Sequence, residues 1–172
     1  LETLGGGMGA RATKDGKDGV QVNITNTSNL PVEAIEMEYP LRVEDYALIA
    51  DSGGAGKHRG GMGIRRSIRP VGHTCEFNGV GERFRNQPWG IFGGQSGAAG
   101  MFEMVDCKGN TTSLSSKASR VKLSPDARVV ISTPGAGGYG APDDRKPEAL
   151  AEDQASGKFT KGFLASNYAR KD

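Results

Sequence analysis

Residues 51–63 read Asp-Ser-Gly-Gly-Ala-Gly-Lys-His-Arg-Gly-Gly-Met-Gly. Six of these thirteen residues are glycine, and Lys57, His58 and Arg59 lie at the centre with no acidic residue among them. Glycine accepts positive φ angles and lets other backbone approach closely, at an entropic cost on folding. The stretch is therefore predicted to be either a tight connection between strands or a backbone cradle for a bound group.

Short strands are predicted on both sides of this stretch. Apolar and polar residues alternate over 20–25 and 41–50 before it, and further strands follow at 64–71, 74–80, 101–105, within 113–122 and at 128–132. Residues 32–38 fit a short helix or an extended segment. Helices are predicted at 147–155, where Pro147 lies in the first turn and Gly157 follows the end, and at 160–169.

This pattern predicts a mainly β (α+β) fold, with short strands joined by glycine-rich loops and two short helices at the C-terminus. We divide it into a β-rich, glycine-loop region at 1–142 and a helical tail at 143–172. A chain of 172 residues suits one domain or one piece of a larger fold. The opening at Leu1, without an initiator Met, predicts a piece cut from a longer chain.

Composition argues against several classes of function. The net charge of +2 gives no electrostatic case for nucleic-acid binding, and the apolar runs are far shorter than the ~20 residues of a membrane span. Cys75 and Cys107 form no C-x-x-C pair and are predicted to be reduced thiols in a cytoplasmic protein. With two histidines and no H-x-x-x-H spacing, no complete metal site is expected from this chain alone.

Two phosphate-binding patterns can be tested against the sequence. The Walker pattern fails because Gly56-Lys57 is followed by His58, and its first glycine falls on Asp51. Residues 135–140 match G-x-G-x-x-G after an apolar strand, but a dinucleotide site also needs a helix that opens at the last glycine. Two acidic residues follow instead and would repel phosphate, so neither nucleotide-binding motif is predicted.

The glycine-rich stretch remains the candidate site, either for a substrate or anion or for a subunit interface. A solvated turn is the alternative for Lys57 to Arg59, and no Ser or Cys pairs with His58 by spacing, so no catalytic residue is assigned. Three arginines at 65, 66 and 69 are predicted to form a salt-bridged strand face, and Trp89 to lie in the core or at an interface. The candidate residues of the stretch are Ser52, Gly53, Gly54, Lys57, His58, Arg59, Gly60 and Gly61.

An ordered set of motifs resembles the hydantoinase B family along essentially the whole chain. The nearly residue-by-residue match is 51–63. The other matching segments are 5–11, 25–27 with 31–33, 39–43, 89–94, 116–117, 133–142, and a tail with Pro147, Glu152-Asp153, Gly157-Lys158 and Tyr168. The resemblance covers the C-terminal third of a family subunit. It implies a segment of a larger subunit fold, with the N-terminal part of the B-type subunit and an ATP-using A-type subunit as partners.

The family resemblance also implies a reaction. It looks like the B-type subunits of ATP-dependent hydantoinases, 5-oxoprolinases and lactamases, in which ATP activates a carbonyl oxygen and the phosphorylated intermediate is then hydrolysed. ATP and Mg are expected in the A-type subunit, and a divalent metal in the N-terminal part of the B-type subunit. We therefore expect this chain to be part of a cyclic-amide hydrolase and to be inactive alone.

Two other functions stay open at the level of the sequence. The same resemblance includes acetone and acetophenone carboxylases, which would make the chain a segment of an ATP-dependent carboxylase. A stand-alone β-rich interaction module is the third alternative. The glycine content and the low apolar content weigh against it, because a small core must offset a large ordering cost.

Overall fold

The structure is a computed structural model and describes residues 1–22, 25 and 27–168. Over these residues seven strands and three α-helices form. The strands are β1 Leu41–Leu48, β2 Ile64–Pro70, β3 Cys75–Val80, β4 Met101–Val105, β5 Thr111–Leu114, β6 Lys117–Leu123 and β7 Arg128–Ser132. The helices are α1 Val32–Glu38, α2 Pro147–Ala155 and α3 Lys161–Asn167, and a 3₁₀ turn covers Pro142–Asp144. The predicted mainly β fold with two C-terminal helices is confirmed.

Two antiparallel sheets carry the strands. The larger sheet has the order β1-β2-β7-β4-β5, and the smaller sheet pairs β3 with β6. Val129 on β7 is opposite Ile68 on β2 and Met104 on β4, so these three side chains share one face. They pack with Leu123 and Phe77 of the smaller sheet in one hydrophobic core. The alternation of apolar residues along each strand is what turns one face of each sheet inward.

The other face of β2 carries cations paired with β1. Arg65 bonds to Asp45, and the Nε atom of Arg69 lies 2.5 Å from Glu44 Oε1, both partly exposed to solvent. Arg66 points to the opposite side, is fully buried, and lies 2.5 Å from Glu2 and over the Tyr46 ring. The prediction of a salt-bridged strand face therefore holds for two of the three arginines, and the third is a buried residue because side chains alternate along a strand.

The glycine-rich stretches differ from the loops that the sequence predicts. Segments 5–10, 52–63, 89–98 and 133–140 lie side by side and bond to one another through their backbones, and we call them the glycine bundle. Their hydrogen bonds recur every third residue: Gly7 and Ala10 donate to Pro134 and Gly137, and Ala98 and Gln95 donate to Ser52 and Ala55. A polyproline II helix has three residues per turn and no internal hydrogen bonds. Its backbone groups can therefore form hydrogen bonds with neighbouring segments.

This packing explains why the bundle needs glycine. A Cβ atom on Gly135 would lie 1.8 Å from the Ser52 carbonyl oxygen, and one on Gly137 would lie 1.9 Å from that of Trp89. Such backbone-to-backbone contact leaves no room for a side chain, as at the crowded axis of a collagen triple helix. The glycine bundle is a regular structural layer.

Two predicted strands differ from the structure. Val20 makes only an isolated bridge with Gly6, and Gln21 and Val22 are not in a strand. The side-chain amide of Gln21 donates to Thr3 O and to Asn29 Oδ1. Residues 23, 24 and 26 lie outside the described residues. The single strand predicted within 113–122 is two strands, β5 and β6, in different sheets. None of the described helices has the length and apolar character needed to cross a membrane.

Candidate functional site

The glycine N–H groups of residues 51–63 form hydrogen bonds inside the protein. All six glycines of the stretch donate to acceptors of the protein at 2.8–3.2 Å. These acceptors are Met62 Sδ, Ala136 O, Tyr168 Oη, Gly54 O, Met8 O and Ser52 Oγ. An anion cradle needs free N–H groups. The glycine N–H groups of this stretch therefore form no anion cradle.

Ser52 also forms its hydrogen bonds inside the protein. Its side chain is buried, its hydroxyl donates to Ile49 O at 2.6 Å, and it accepts the Gly63 N–H at 2.9 Å. Gly53, Gly54, Gly60 and Gly61 are buried with it. These five candidate residues position the stretch between the strands of the bundle.

Arg59 lies in a buried ionic cluster and not at the surface. It is 4% exposed, its Nε bonds to Asp153 Oδ1 at 2.9 Å, and its two terminal nitrogens bond to both Asp18 oxygens at 2.7 and 3.1 Å. The Asp18 carboxylate also accepts the Met62 N–H at 2.9 Å. A bidentate pair of this geometry fixes both side chains, so Arg59 links the glycine-rich stretch to 15–18 and to α2.

Arg145 completes the cluster from the C-terminal tail. It is 6% exposed, pairs with both oxygens of Asp15 at 2.8 and 2.9 Å, and bonds to Asp153 Oδ2 through Nε and Nη2 at 3.1 and 2.5 Å. It also donates to Lys57 O at 3.1 Å. We call the set Asp15, Asp18, Arg59, Arg145 and Asp153 the ionic clasp, because it joins three distant parts of the chain.

The tail also packs on the stretch through apolar groups. Phe159 and Tyr168 form one buried cluster with Ala55 and Met62. The Tyr168 hydroxyl accepts the Gly56 N–H at 3.1 Å. Burial raises the pKa of this phenol to about 12, so it stays protonated at neutral pH. The helical tail at 143–168 thus covers the glycine-rich stretch.

Charge pairing sets the protonation of the clasp. Burial alone would raise the pKa of Asp15, but the hydrogen bonds and charge of Arg145, with the Arg59 N–H, outweigh it and hold that pKa below its ordinary value. Burial likewise disfavours the charged guanidinium of Arg59, and its bonds to Asp18 and Asp153 reverse this, so its pKa is raised. Both shifts favour the charged forms of Asp15 and Arg59 at neutral pH.

The Asp15 pKa predicts acid sensitivity. A carboxyl with a depressed folded pKa contributes stability above its unfolded pKa of about 4, and that stability is lost as the pH falls below this value through the folded pKa. We expect Asp15→Asn to have a lower free energy of unfolding at neutral pH and a flatter dependence between about pH 5 and about pH 3. Urea unfolding at several pH values measures this. Asp143→Asn, at an exposed position, is the control, and identical pH slopes for Asp15→Asn and the unchanged chain would contradict the prediction.

Lys57 and His58 are the candidate side chains that reach the surface. Lys57 is exposed and His58 is half-buried, with Nδ1 3.7 Å from Asp15 Oδ1. The His58 backbone pairs with Tyr139, and Tyr139 pairs in turn with Ile91. This places both basic residues beside segment 89–94. Whether the stretch meets a substrate or an interface stays a prediction at these two residues.

A cleft of about 1070 Å³ lies where the two sheets diverge. Its walls are mostly apolar, with Phe77, Phe84, Phe102 and Ile131 among the lining residues and residues 1–4 along one side. Phe84 and Phe102 meet edge to face at 4.7 Å between ring centroids. The cleft is separate from the ionic clasp and from Lys57.

The described residues do not fit a resident metal or a nucleotide. Within 1–22, 25 and 27–168, no group of three or more His, Cys, Asp or Glu side chains is arranged to hold a metal ion. The three clasp carboxylates are already occupied by guanidinium groups. The G-x-G-x-x-G run at 135–140 continues into a 3₁₀ turn at Pro142–Asp144 and no helix opens at Gly140, so its N–H groups are not presented by a helix end.

Sequence reasoning missed most of the ionic clasp. Arg59 was a candidate residue, and Asp153 lies in a tail segment that resembles the family, but no motif marked Asp15, Asp18 or Arg145. Pairings across 130 residues, as between Asp15 and Arg145, have no local pattern that a sequence reveals.

Comparison with known proteins identifies related chains. A family model described as hydantoinase B/oxoprolinase matches residues 1–142. An uncharacterized protein of Methanocaldococcus jannaschii is 45% identical over 92% of this chain and 28% of its own length. A 5-oxoprolinase of Dictyostelium discoideum is 34% identical over 83% of this chain and 11% of its own length. The chain thus spans less than a third of the length of these relatives.

Solved structures share the fold. The ATP-dependent caprolactamase of Pseudomonas jessenii superimposes with a TM-score of 0.78 and 25% identity over 96% of this chain and 29% of its own. A nucleotide-free acetone carboxylase superimposes with a TM-score of 0.74 and 23% identity, over 95% of this chain and 26% of its own. At that identity the second likeness shows the fold alone.

Proposed function

The chain belongs to the hydantoinase B/oxoprolinase family, and from this premise we propose that it is a segment of the B-type subunit of an ATP-dependent enzyme that opens cyclic amides. The substrate class is a hydantoin, 5-oxoproline or a lactam. One observation carries the proposal: the fold matches that of an ATP-dependent caprolactamase over 96% of the chain, and a relative carries the name caprolactamase subunit beta.

In this proposal the segment contributes to the folded structure of the B-type subunit. The glycine bundle and the ionic clasp are internally satisfied, and the candidate residues with side chains free to meet another molecule are Lys57 and His58. ATP activates the amide oxygen in an A-type partner subunit, and a divalent metal belongs to the N-terminal part of the B-type subunit. The ring then opens by hydrolysis of the phosphorylated intermediate.

Hydrolysis is favoured over carboxylation by the relatives. Both the caprolactamase and the 5-oxoprolinase are named for reactions on cyclic amides. The carboxylase likeness supports a shared fold and carries no argument about the reaction. We therefore keep the carboxylase as an outcome of the test.

The experiment is reconstitution of the complete enzyme. We expect the full B-type subunit that contains this segment, co-expressed with its A-type partner, to hydrolyse ATP faster when a lactam, hydantoin or 5-oxoproline is added, and to release the ring-opened product. Omission of the cyclic amide is the control. ATP turnover that no cyclic amide stimulates would contradict the proposal. Entry of labelled bicarbonate into a ketone product would assign the protein to the carboxylases.

A further inference from the structure

Three large apolar side chains that are close in sequence are exposed beside the glycine-rich stretch. Trp89 is 63% exposed, Ile91 43% and Phe92 76%. The Phe92 ring lies 5.1 Å from the Tyr139 ring, and the Arg83 guanidinium lies 4.6 Å above the Trp89 ring. We call these five residues the aromatic face. Contiguous exposed apolar side chains mark interaction sites more often than isolated ones do.

The backbone beneath this face is held firmly. The N–H of Ile91 bonds to Gly138 O at 3.0 Å, and the Gly140 N–H bonds to Ile91 O at 3.1 Å. A Cβ atom on Gly90 would lie 2.3 Å from Gly94 O, so the segment folds tightly on itself. The exposed rings therefore project from the rigid glycine bundle, which lowers the ordering cost of binding.

Phe92 is exposed at a strained position. The Gly94 N–H bonds to Ile91 O at 3.0 Å, and the two residues between them have φ angles of 52° and 90°. Positive φ at both central positions defines a type I′ turn, where Gly, Asn and Asp are preferred. The turn itself does not require a phenylalanine. Strain of this kind concentrates at functional sites.

Two cations that we call the basic rim lie at this face, because Arg83 stacks on Trp89 and the Lys57 side chain lies beside Gly140, next to Tyr139. Over the described residues, no carboxylate lies within 4 Å of the side-chain nitrogens of Arg83, Arg85 or Lys57, whereas the arginines of β2 and of the ionic clasp are all paired. All three side chains are exposed. Arg83 is also held at φ 61°, the second strained residue at this face. Trp and Arg are the residue types most enriched at binding hot spots.

We propose that the aromatic face docks a segment of the partner subunit that presents an apolar side chain flanked by carboxylates. The apolar side chain covers Trp89 and Phe92, and a carboxylate pairs with Arg83 where its guanidinium stacks on the indole. This inference rests on the proposed function, because it takes the partner from the multi-subunit enzyme. It goes further by assigning the surface and the chemistry of the contact.

The test is the affinity between the complete B-type subunit and its purified A-type partner. Removing a hot-spot side chain weakens binding by about 30-fold or more, so we expect that loss for Trp89→Ala. Met37→Ala, at an 84% exposed position on α1, controls for loss of exposed apolar area and should change the affinity less than about twofold. Equal affinity for Trp89→Ala and the unchanged subunit overturns the proposal.

Charge reversal tests the basic rim. Arg83→Glu should weaken the partner's binding, and more strongly at low salt. Arg120→Glu is its matched control, since Arg120 is also exposed and also has a positive φ, of 53°. Equal effects of the two reversals would show a nonspecific charge effect and overturn the carboxylate pairing.

Phe92→Asn separates binding from folding. Asn tolerates positive φ better than Phe, so the melting temperature should stay the same or rise while affinity for the partner falls. A lowered melting temperature with unchanged affinity would make Phe92 a folding residue and overturn its role in docking. A dimer of the B-type subunit alone that Trp89→Ala dissociates would assign the face to a second copy and overturn docking of the partner. A complete B-type subunit that Trp89→Ala unfolds would assign the face to the rest of the same subunit and overturn it too. A complex that Trp89→Ala disrupts, but whose ATP turnover no cyclic amide stimulates, would sustain the docking face and refute the proposed reaction.

Discussion

Gly60→Ala is expected to destabilise the chain strongly. A Cβ atom at this position would lie 1.8 Å from the carbonyl oxygen of Ala136 and 2.5 Å from its carbonyl carbon. Neither atom can move freely, because the same oxygen accepts the Gly54 N–H at 2.8 Å inside the glycine bundle. We expect a loss of more than about 3 kcal/mol in the free energy of unfolding, against a total of about 5–15 kcal/mol for a typical domain.

Gly9→Ala is the matched control for this substitution. Gly9 is an exposed glycine of the same bundle, and no heavy atom lies within 4 Å of the position that its Cβ would take. The added methyl group should change the free energy of unfolding by less than about 0.5 kcal/mol. Soluble yield and urea unfolding of both variants measure the difference. A folded Gly60→Ala variant as stable as Gly9→Ala would show that the bundle is looser than its contacts indicate.

Asp153→Asn is the second substitution with a large expected effect. Asp153 is 3% exposed and accepts hydrogen bonds from both arginines of the ionic clasp. Asparagine keeps the shape but removes the charge and turns an N–H₂ donor toward a guanidinium. Removing one partner of a buried ion pair costs about 3–5 kcal/mol, because the remaining charges stay buried. We expect the helical tail to detach from the glycine-rich stretch.

The neighbouring residue provides the control. Glu152→Gln removes one negative charge from the same helix at an exposed position and should leave the free energy of unfolding within about 0.5 kcal/mol. Limited proteolysis after residue 142, together with chemical unfolding, distinguishes local release of the tail from global unfolding. Equal protease resistance of the two variants would show that the clasp does not hold the tail.

The strands and helices were predictable because their signals are local. The apolar run within 128–132 and the Pro147 and Gly157 boundaries depend on neighbouring residues, and the structure places β7 and α2 there. The glycine bundle was predicted as loops. Its glycine-rich segments have few side chains, so their sequence shows no hydrophobic periodicity that would indicate a regular element.

The candidate site was located only in part. The sequence predicted Lys57, His58 and Arg59 as one group. In the structure Arg59 is buried in the ionic clasp, whereas Lys57 is exposed at the surface. That division depends on acidic partners from 15–18 and from α2, which are far away along the chain. Trp89 illustrates the same limit, since its exposure follows from how segment 89–98 lies in the bundle.

The long-range pairings within the bundle and the clasp determine when the chain can fold during its synthesis. Gly7 bonds to Pro134, and Asp15 pairs with a residue 130 positions later. The N-terminal glycine segment can bond early to Lys17 and Val20 and later to Gly61, but its bonds to Pro134 and Gly137 form only after those residues have left the ribosome. Contacts of such high sequence separation slow folding, because the closure entropy must be met before the contacts form. The glycine bundle and the ionic clasp therefore stay incomplete until residues 133–153 have emerged.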